Sequence, residues 1–154
     1  MSVLKIQQDP GRIGFATEEV IVTVGTGGVT LGNVVKFEWN SGYADTVVAT
    51  ETGDDDAPNL IFGVAMATAA AGEEVRVVVR GQVKVNCAVN MNAGILGSLS
   101  GSSAGRLAAV TLDPTDAGTA RIKPLAISTA DTDSAGDLTE VIFDGITGFA
   151  AVGN

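Results

Sequence analysis

The chain has 154 residues, enough for one domain or two closely fused halves that fold without a disulfide or a metal. Hydrophobic residues make up 45% and aromatics only 5%, and no apolar run approaches the roughly 18 residues that a membrane-spanning helix needs. Lys and Arg number 9 against 18 Asp and Glu, a net charge of −9. That balance disfavours nucleic-acid binding and keeps crowded copies of the chain apart.

The opening Met1-Ser2-Val3-Leu4-Lys5 runs at once into Gln7, Gln8 and Asp9, without the apolar stretch of a secretory signal. Residues 1–18 form a separate segment, in which the stretch from Val3 alternates weakly and breaks at Pro10-Gly11. They read either as an edge strand of the same domain or as an arm that adds a strand to a neighbour through Val3, Leu4 and Ile6. Residues 19–154 read as a single β domain. Strands are predicted over 19–24 and 34–39, with Gly25-Thr26-Gly27-Gly28 turning between them. Trp39 and Tyr43 flank a turn at Asn40-Ser41-Gly42, where core packing of Trp39 competes with an exposed aromatic anchor. Glu51 with Asp54, Asp55 and Asp56 has the hard oxygens of a calcium site, but not EF-hand spacing, and the reading taken is a solvated loop tip.

A strand follows over 60–67. The helix-like run from Ala65 to Ala71 is too short and uncapped, and Gly72 ends it. From Glu74 to Val89 the odd positions are Val75, Val77, Val79, Gly81, Val83, Val85, Cys87 and Val89, while charged and polar residues fill most even ones. This is the alternation of a half-buried strand, with a bulge or sharp bend expected at Gly81. Further strands are predicted over 107–112, 124–128 and 138–143. The tail Phe149-Ala150-Ala151-Val152-Gly153 is apolar for a chain end, which marks Phe149 and Val152 as interface candidates beside Trp39 and Tyr43.

An internal repeat organises these elements. Gly63-Val64-Ala65-Met66-Ala67-Thr68-Ala69 matches Pro124-Leu125-Ala126-Ile127-Ser128-Thr129-Ala130, and Ala71-Gly72-Glu73 matches Ala135-Gly136-Asp137. Val77-Val78-Val79 then falls over Val141-Ile142-Phe143, and Gly81 over Gly145. A weaker echo sets Leu31-Gly32-Asn33-Val34 over Ala93-Gly94-Ile95-Leu96. The expectation is an all-β fold from two related β-units, near 31–81 and 93–145, pairing apolar faces into one core.

Residues that carry chemistry are sparse. No histidine is present, which removes Ser-His-Asp and Cys-His arrangements and the commonest zinc ligand. Cys87 is single and lies in an apolar-periodic stretch, so it reads as a buried small residue. Gly97-Ser98-Leu99-Ser100-Gly101 mimics a nucleophile elbow, but without a base or a following helix it reads as a flexible loop. Asp131-Thr132-Asp133 reads as solvated, and one Trp with one Tyr cannot line a sugar cleft. An enzyme is not expected, and neither a cofactor nor a metal is assigned.

The order Gly63-Val64-Ala65, Ala71-Gly72-Glu73-Glu74-Val75, Val79-Arg80-Gly81-Gln82-Val83-Lys84-Val85 resembles the capsid decoration, or cement, proteins of tailed bacteriophages. So does the later order Ala93-Gly94-Ile95-Leu96, Gly105-Arg106-Leu107, Ile122-Lys123-Pro124-Leu125-Ala126-Ile127, Ala135-Gly136-Asp137-Leu138-Thr139-Glu140-Val141. The resemblance spans about residues 60–145 and implies a β-barrel, jelly-roll or β-tulip-like protein, commonly a homotrimer. It implies a structural virion protein, made in the host cytoplasm, that sits on the outer capsid surface where major-capsid subunits meet and stabilises the shell. Its partners would be the major capsid protein and further copies of itself, with no nucleic acid and no membrane. Other virion modules, such as tail or fibre parts, and a ligand-binding β-sandwich are the competing readings.

Overall fold

The computed structural model describes residues 16–39, 47–51, 61–88, 91–100, 103–110, 124–131, 134 and 136–148, and among them it is all-β with no helix. The strands are β1 Glu18–Val24, β2 Val34–Trp39, β3 Val47–Glu51, β4 Phe62–Ala65 and β5 Glu74–Asn86. They continue with β6 Leu96–Leu99, β7 Leu107–Ala109, β8 Ala126–Ser128 and β9 Leu138–Asp144. All join one 9-stranded sheet in the order β1-β3-β2-β4-β5-β9-β8-β6-β7, with β1 pairing β5 as well.

That extra pairing closes a barrel. The first half of β5 lies antiparallel to β1, with Val20 opposite Val77 and Val22 opposite Val75. β1 returns to β3 through a short parallel ladder, Thr23 opposite Val48 and Val24 opposite Ala49. The ring β1-β3-β2-β4-β5 is barrel 1. The second half of β5 passes to β9, with Val83 opposite Val141 and Val85 opposite Thr139. The run β5-β9-β8-β6-β7 is closed, among the described residues, by a single parallel bridge, Cys87 opposite Leu107, and forms barrel 2. A closed ring removes the unpaired strand edges that invite uncontrolled pairing.

The two barrels are the same unit built twice, as their hydrogen bonds show. In barrel 1 the Gly32 N–H donates to the Ala65 carbonyl at 2.8 Å and the Ala65 N–H to the Asn33 carbonyl at 3.0 Å. Barrel 2 repeats the pair as Gly94 to Ser128 at 2.7 Å and Ser128 to Ile95 at 2.9 Å. Likewise the Val24 N–H donates to Glu73 at 2.8 Å and the Gly72 N–H to Val24 at 2.9 Å, repeated as Cys87 to Asp137 at 3.2 Å and Gly136 to Cys87 at 2.6 Å. Val24 of β1 thus corresponds to Cys87, at the far end of β5. The 13-residue strand β5 serves both units, first as the last strand of barrel 1, then as the first strand of barrel 2.

Gly81 makes this sharing possible. Its φ of 117° lies where side-chain-bearing residues are strained, and a Cβ there would collide with the Ala16 carbonyl oxygen. Opposite it β1 is irregular, because the register slips between Glu18 and Glu19. The alternation runs unbroken through the bend, so one face of β5 fills two cores. Val75, Val77 and Val79 join Val24, Val29, Val35, Phe37 and Ala65 in the core of barrel 1. Val83, Val85 and Cys87 join Met91, Leu107, Leu125, Ala126, Val141 and Phe143 in the core of barrel 2. Each fully buried valine contributes about 1.5–3 kcal/mol relative to exposure.

The all-β barrel expectation from two related units holds. Two strands, β3 and β6, were not foreseen, and β6 corrects the flexible-loop reading at Gly97, Ser98 and Leu99, while Gly101 lies outside the described residues. Gly97 pairs with both Ala109 and Ala126, and a Cβ on it would meet Met91 Cε at 2.9 Å and Leu107 Cδ1 at 3.4 Å. A larger residue there would have to displace the Met91 side chain, so a small residue that resembles a loop former also fits the packing of barrel 2. The run from Ala65 to Ala71 is not helical, in line with its short and uncapped pattern: Ala65 ends β4, and Ala69 bridges Val29.

Candidate interaction surface

The predicted contacts Val3, Leu4, Ile6, Tyr43, Phe149 and Val152 lie outside the described residues, as do Asp54, Asp55 and Asp56. The backbone of Trp39 closes β2 opposite Val47, and its side chain also lies outside the description. Asp131 is a turn acceptor, its Oδ1 taking the Ala93 N–H at 2.7 Å. Among the described residues no group of three or more His, Cys, Asp or Glu side chains is placed to hold a metal ion.

Exposed apolar surface appears elsewhere. On β1, Val20 and Ile21 are 39% and 67% exposed. Leu31 and Leu138 are exposed near the far end of the β5–β9 ladder, where the Asn86 side-chain amide donates to the Leu31 carbonyl at 3.0 Å and to Asn33 Oδ1 at 2.5 Å. Met66, Ile95 and Ile146 are exposed at strand ends. Sequence reasoning missed Val20 and Ile21, although the run Val20-Ile21-Val22 is apolar on both faces of a strand, an available signal for an outward contact.

Between the barrels, at the Gly81 bend, lies an open groove of about 460 Å³. Met66 is its exposed apolar side chain, Val78 and Val83 lie almost sealed beneath it, and Glu19, Lys84 and Glu140 supply charge. Gln82 Nε2 donates to Glu140 Oε1 at 2.6 Å across the β5–β9 ladder.

The charge network centres on Arg80, the residue at which β5 changes partners. It stands opposite Glu18 on one side and Asp144 on the other. Arg80 Nη1 lies 3.8 Å from Glu18 Oε1, and Arg80 Nε lies 3.4 Å from Asp144 Oδ2, an ion pair and not an aligned hydrogen bond. Asp144 also holds the turn after β9: Oδ1 accepts the Ile146 and Thr147 N–H groups at 3.0 Å, and Oδ2 accepts the Thr147 hydroxyl at 2.5 Å. Burial works to raise its pKa, but the Thr147 and Ile146 hydrogen bonds and the Arg80 charge outweigh it, and the carboxyl sits below the ordinary aspartate value. Cys87 moves the other way, since burial pushes its thiol up, partly opposed by the neighbouring Thr139 side chain.

No family model matches the sequence, and no curated protein matches it. Among solved structures, the fold is similar to the head fiber gp8.5 N base in bacteriophage phi29, with a TM-score of 0.59 and 11% sequence identity, over 88% of this chain and 100% of that one.

Proposed function

We propose that this chain is a structural protein of a bacteriophage virion that binds the outside of the assembled head where major-capsid subunits meet and stabilises the shell, working as a homotrimer without catalytic activity. The observation that carries the reading is the fold shared over 88% of the chain with the base of a phage head fibre. The resemblance of residues 60–145 to capsid decoration proteins supports the same class independently. A net charge of −9 suits a protein held in many copies on one particle.

The mechanism is linkage. A protein that binds the closed shell and not its separated subunits stabilises the shell by mass action, and many symmetric sites multiply a modest energy per site. Val3, Leu4 and Ile6 are assigned to strand addition on the capsid, each added backbone hydrogen bond contributing roughly 0.5–1.5 kcal/mol. Electron microscopy of purified particles with and without this protein tests the reading. Density repeated over the whole head surface, and shells that survive heating better when decorated, are the expected results. Density only in the tail, or no binding to heads at all, refutes it. Deleting residues 1–9 is expected to leave a folded protein that no longer decorates.

A further inference from the structure

Barrel 1 packs onto barrel 2 through a row of side chains, with Phe62 beside it and backbone hydrogen bonds from Val34 N–H to the Gly105 carbonyl at 2.7 Å and from Phe62 N–H to the Gly145 carbonyl at 2.9 Å. Val34 on β2, Val64 on β4 and Val78 on β5 stand opposite one another across the ladder, Val34 to Val64 and Val64 to Val78. Their chain neighbours Val35, Ala65, Val77 and Val79 fill the core of barrel 1, so by strand alternation the row points outward. All three are sealed, and they share a cluster with Val83, Val85, Cys87 and Phe143 of barrel 2.

The repeat rebuilds this row on barrel 2. Leu96 on β6, Ile127 on β8 and Ile142 on β9 stand in the same register, Leu96 to Ile127 and Ile127 to Ile142. Each is a large apolar residue where the outer face of a barrel has no core of its own to fill. All three are only half-buried, and among the described residues no further barrel lies against them. The complementary side is open too. Val83, which takes part in receiving the first row, is 6% exposed. Its counterpart in barrel 1 is Val20, opposite Val77 as Val83 is opposite Val141, and Val20 is 39% exposed.

We propose that a second copy of this chain docks on the row Leu96–Ile127–Ile142 with the β1 side of its barrel 1, around Val20, repeating between chains the contact that joins the two barrels within one chain. The occupant follows from the molecule itself: the equivalent row is already covered by a barrel of this kind, and the equivalent receiving edge already receives one. The contact is heterologous, so copies close into a ring when the rotation allows, or extend as a filament. Because each copy carries a net charge of −9, association strengthens as salt screens the repulsion.

This deepens the self-association part of the proposed function and rests on it, but its test uses the isolated full-length chain without capsids, so a failure to decorate heads leaves it untouched. Sedimentation velocity is run on the wild type, on Ile127→Glu with Ile142→Glu, and on Val20→Glu, with circular dichroism to check folding. The wild type is expected to associate, more tightly at higher salt, and each variant to raise the dissociation constant by at least about 100-fold. An equimolar mixture of the two variants, each with one intact face, is expected to give a dimer and nothing larger. If the double Glu variant fails to fold, Ile127→Thr with Ile142→Thr, which keeps β-branched residues in both strands, gives the same readout. A wild type monomeric at every concentration, row variants that associate like wild type, or a Val20→Glu chain that still dimerises would each overturn the proposal.

Discussion

Replacing Gly81 with alanine tests whether the sharing of β5 depends on a residue without a side chain. At φ 117° the alanine is strained, and its Cβ would collide with the Ala16 carbonyl oxygen and lie 2.7 Å from Thr17 Cα. Both obstacles are backbone, so the segment leading into β1 would have to move. Gly72 is the control, because its φ is 86° and nothing lies within 4 Å of the same added Cβ. Left-handed strain alone costs about 1–2 kcal/mol, which is the expectation for Gly72→Ala. Gly81→Ala adds an overpacking cost of about 1–3 kcal/mol, for a total near 3 kcal/mol. Against the 5–15 kcal/mol that typically holds a domain folded, that is a large fraction. Urea unfolding reads the difference directly: with a slope of about 2 kcal/mol per molar, Gly81→Ala lowers the midpoint by roughly 1.5 M and Gly72→Ala by about half as much. Equal losses in the two variants would refute the claim that close approach of Ala16 and Thr17, over and above φ, fixes Gly81.

Asp144 and Cys87 carry opposite pH signatures. The folded Asp144 pKa is depressed, so its contribution to stability is present above the ordinary aspartate pKa and is lost as pH falls through the lower folded value. Urea midpoints measured from about pH 5 down to about pH 2.5 should therefore fall less in Asp144→Asn than in wild type, while Asp144→Ala, which also loses the turn acceptors, should cost about 1–2 kcal/mol at neutral pH. The folded Cys87 thiol is raised, so its contribution is complete below the ordinary thiol pKa and declines as pH rises through the folded value. A thiol reagent should label the native protein only as fast as the core of barrel 2 opens, and Cys87→Ala should remove the alkaline loss. Rapid labelling of the native state would contradict its burial.

The strongest signals of the fold are local. The alternation that begins at Glu74 defines β5, and the burial of its residues follows that pattern except at Val78, which is sealed by barrel 2, with Gly81 at the bend. Two related units were legible because the turn glycines Gly72 and Gly136 and the valine-rich strands sit at matching places, and those glycines do adopt positive φ. Other features depend on partners distant in sequence. The strand β6 holds Gly97 and Ser98, whose propensities argue for a loop, and it is a strand because β7 and β8 pair with it on either side. The hydrogen bonds pair Ala65 with Ser128, whereas the sequence alignment set Ala65 over Ala126, because a gap placed by letters alone has no knowledge of register.

The same limit explains the candidate surface. Chain position and aromatic content drew attention to Val3, Leu4, Ile6, Trp39, Tyr43, Phe149 and Val152, features that a sequence displays without any fold. The row Leu96, Ile127 and Ile142 is scattered over three strands and becomes a surface only when β6, β8 and β9 lie side by side. By itself, the sequence determined the strand class, the duplication, the acidic balance and the lack of histidine, because those reside in composition and in the period of two along one strand. Tertiary structure alone decided that β5 is shared, that each unit closes on itself through a parallel contact, and that one apolar row is sealed while its counterpart stays half-open. Those outcomes depend on which strands meet, and strand pairing is set by the burial of whole faces, a quantity that no single stretch of the chain contains.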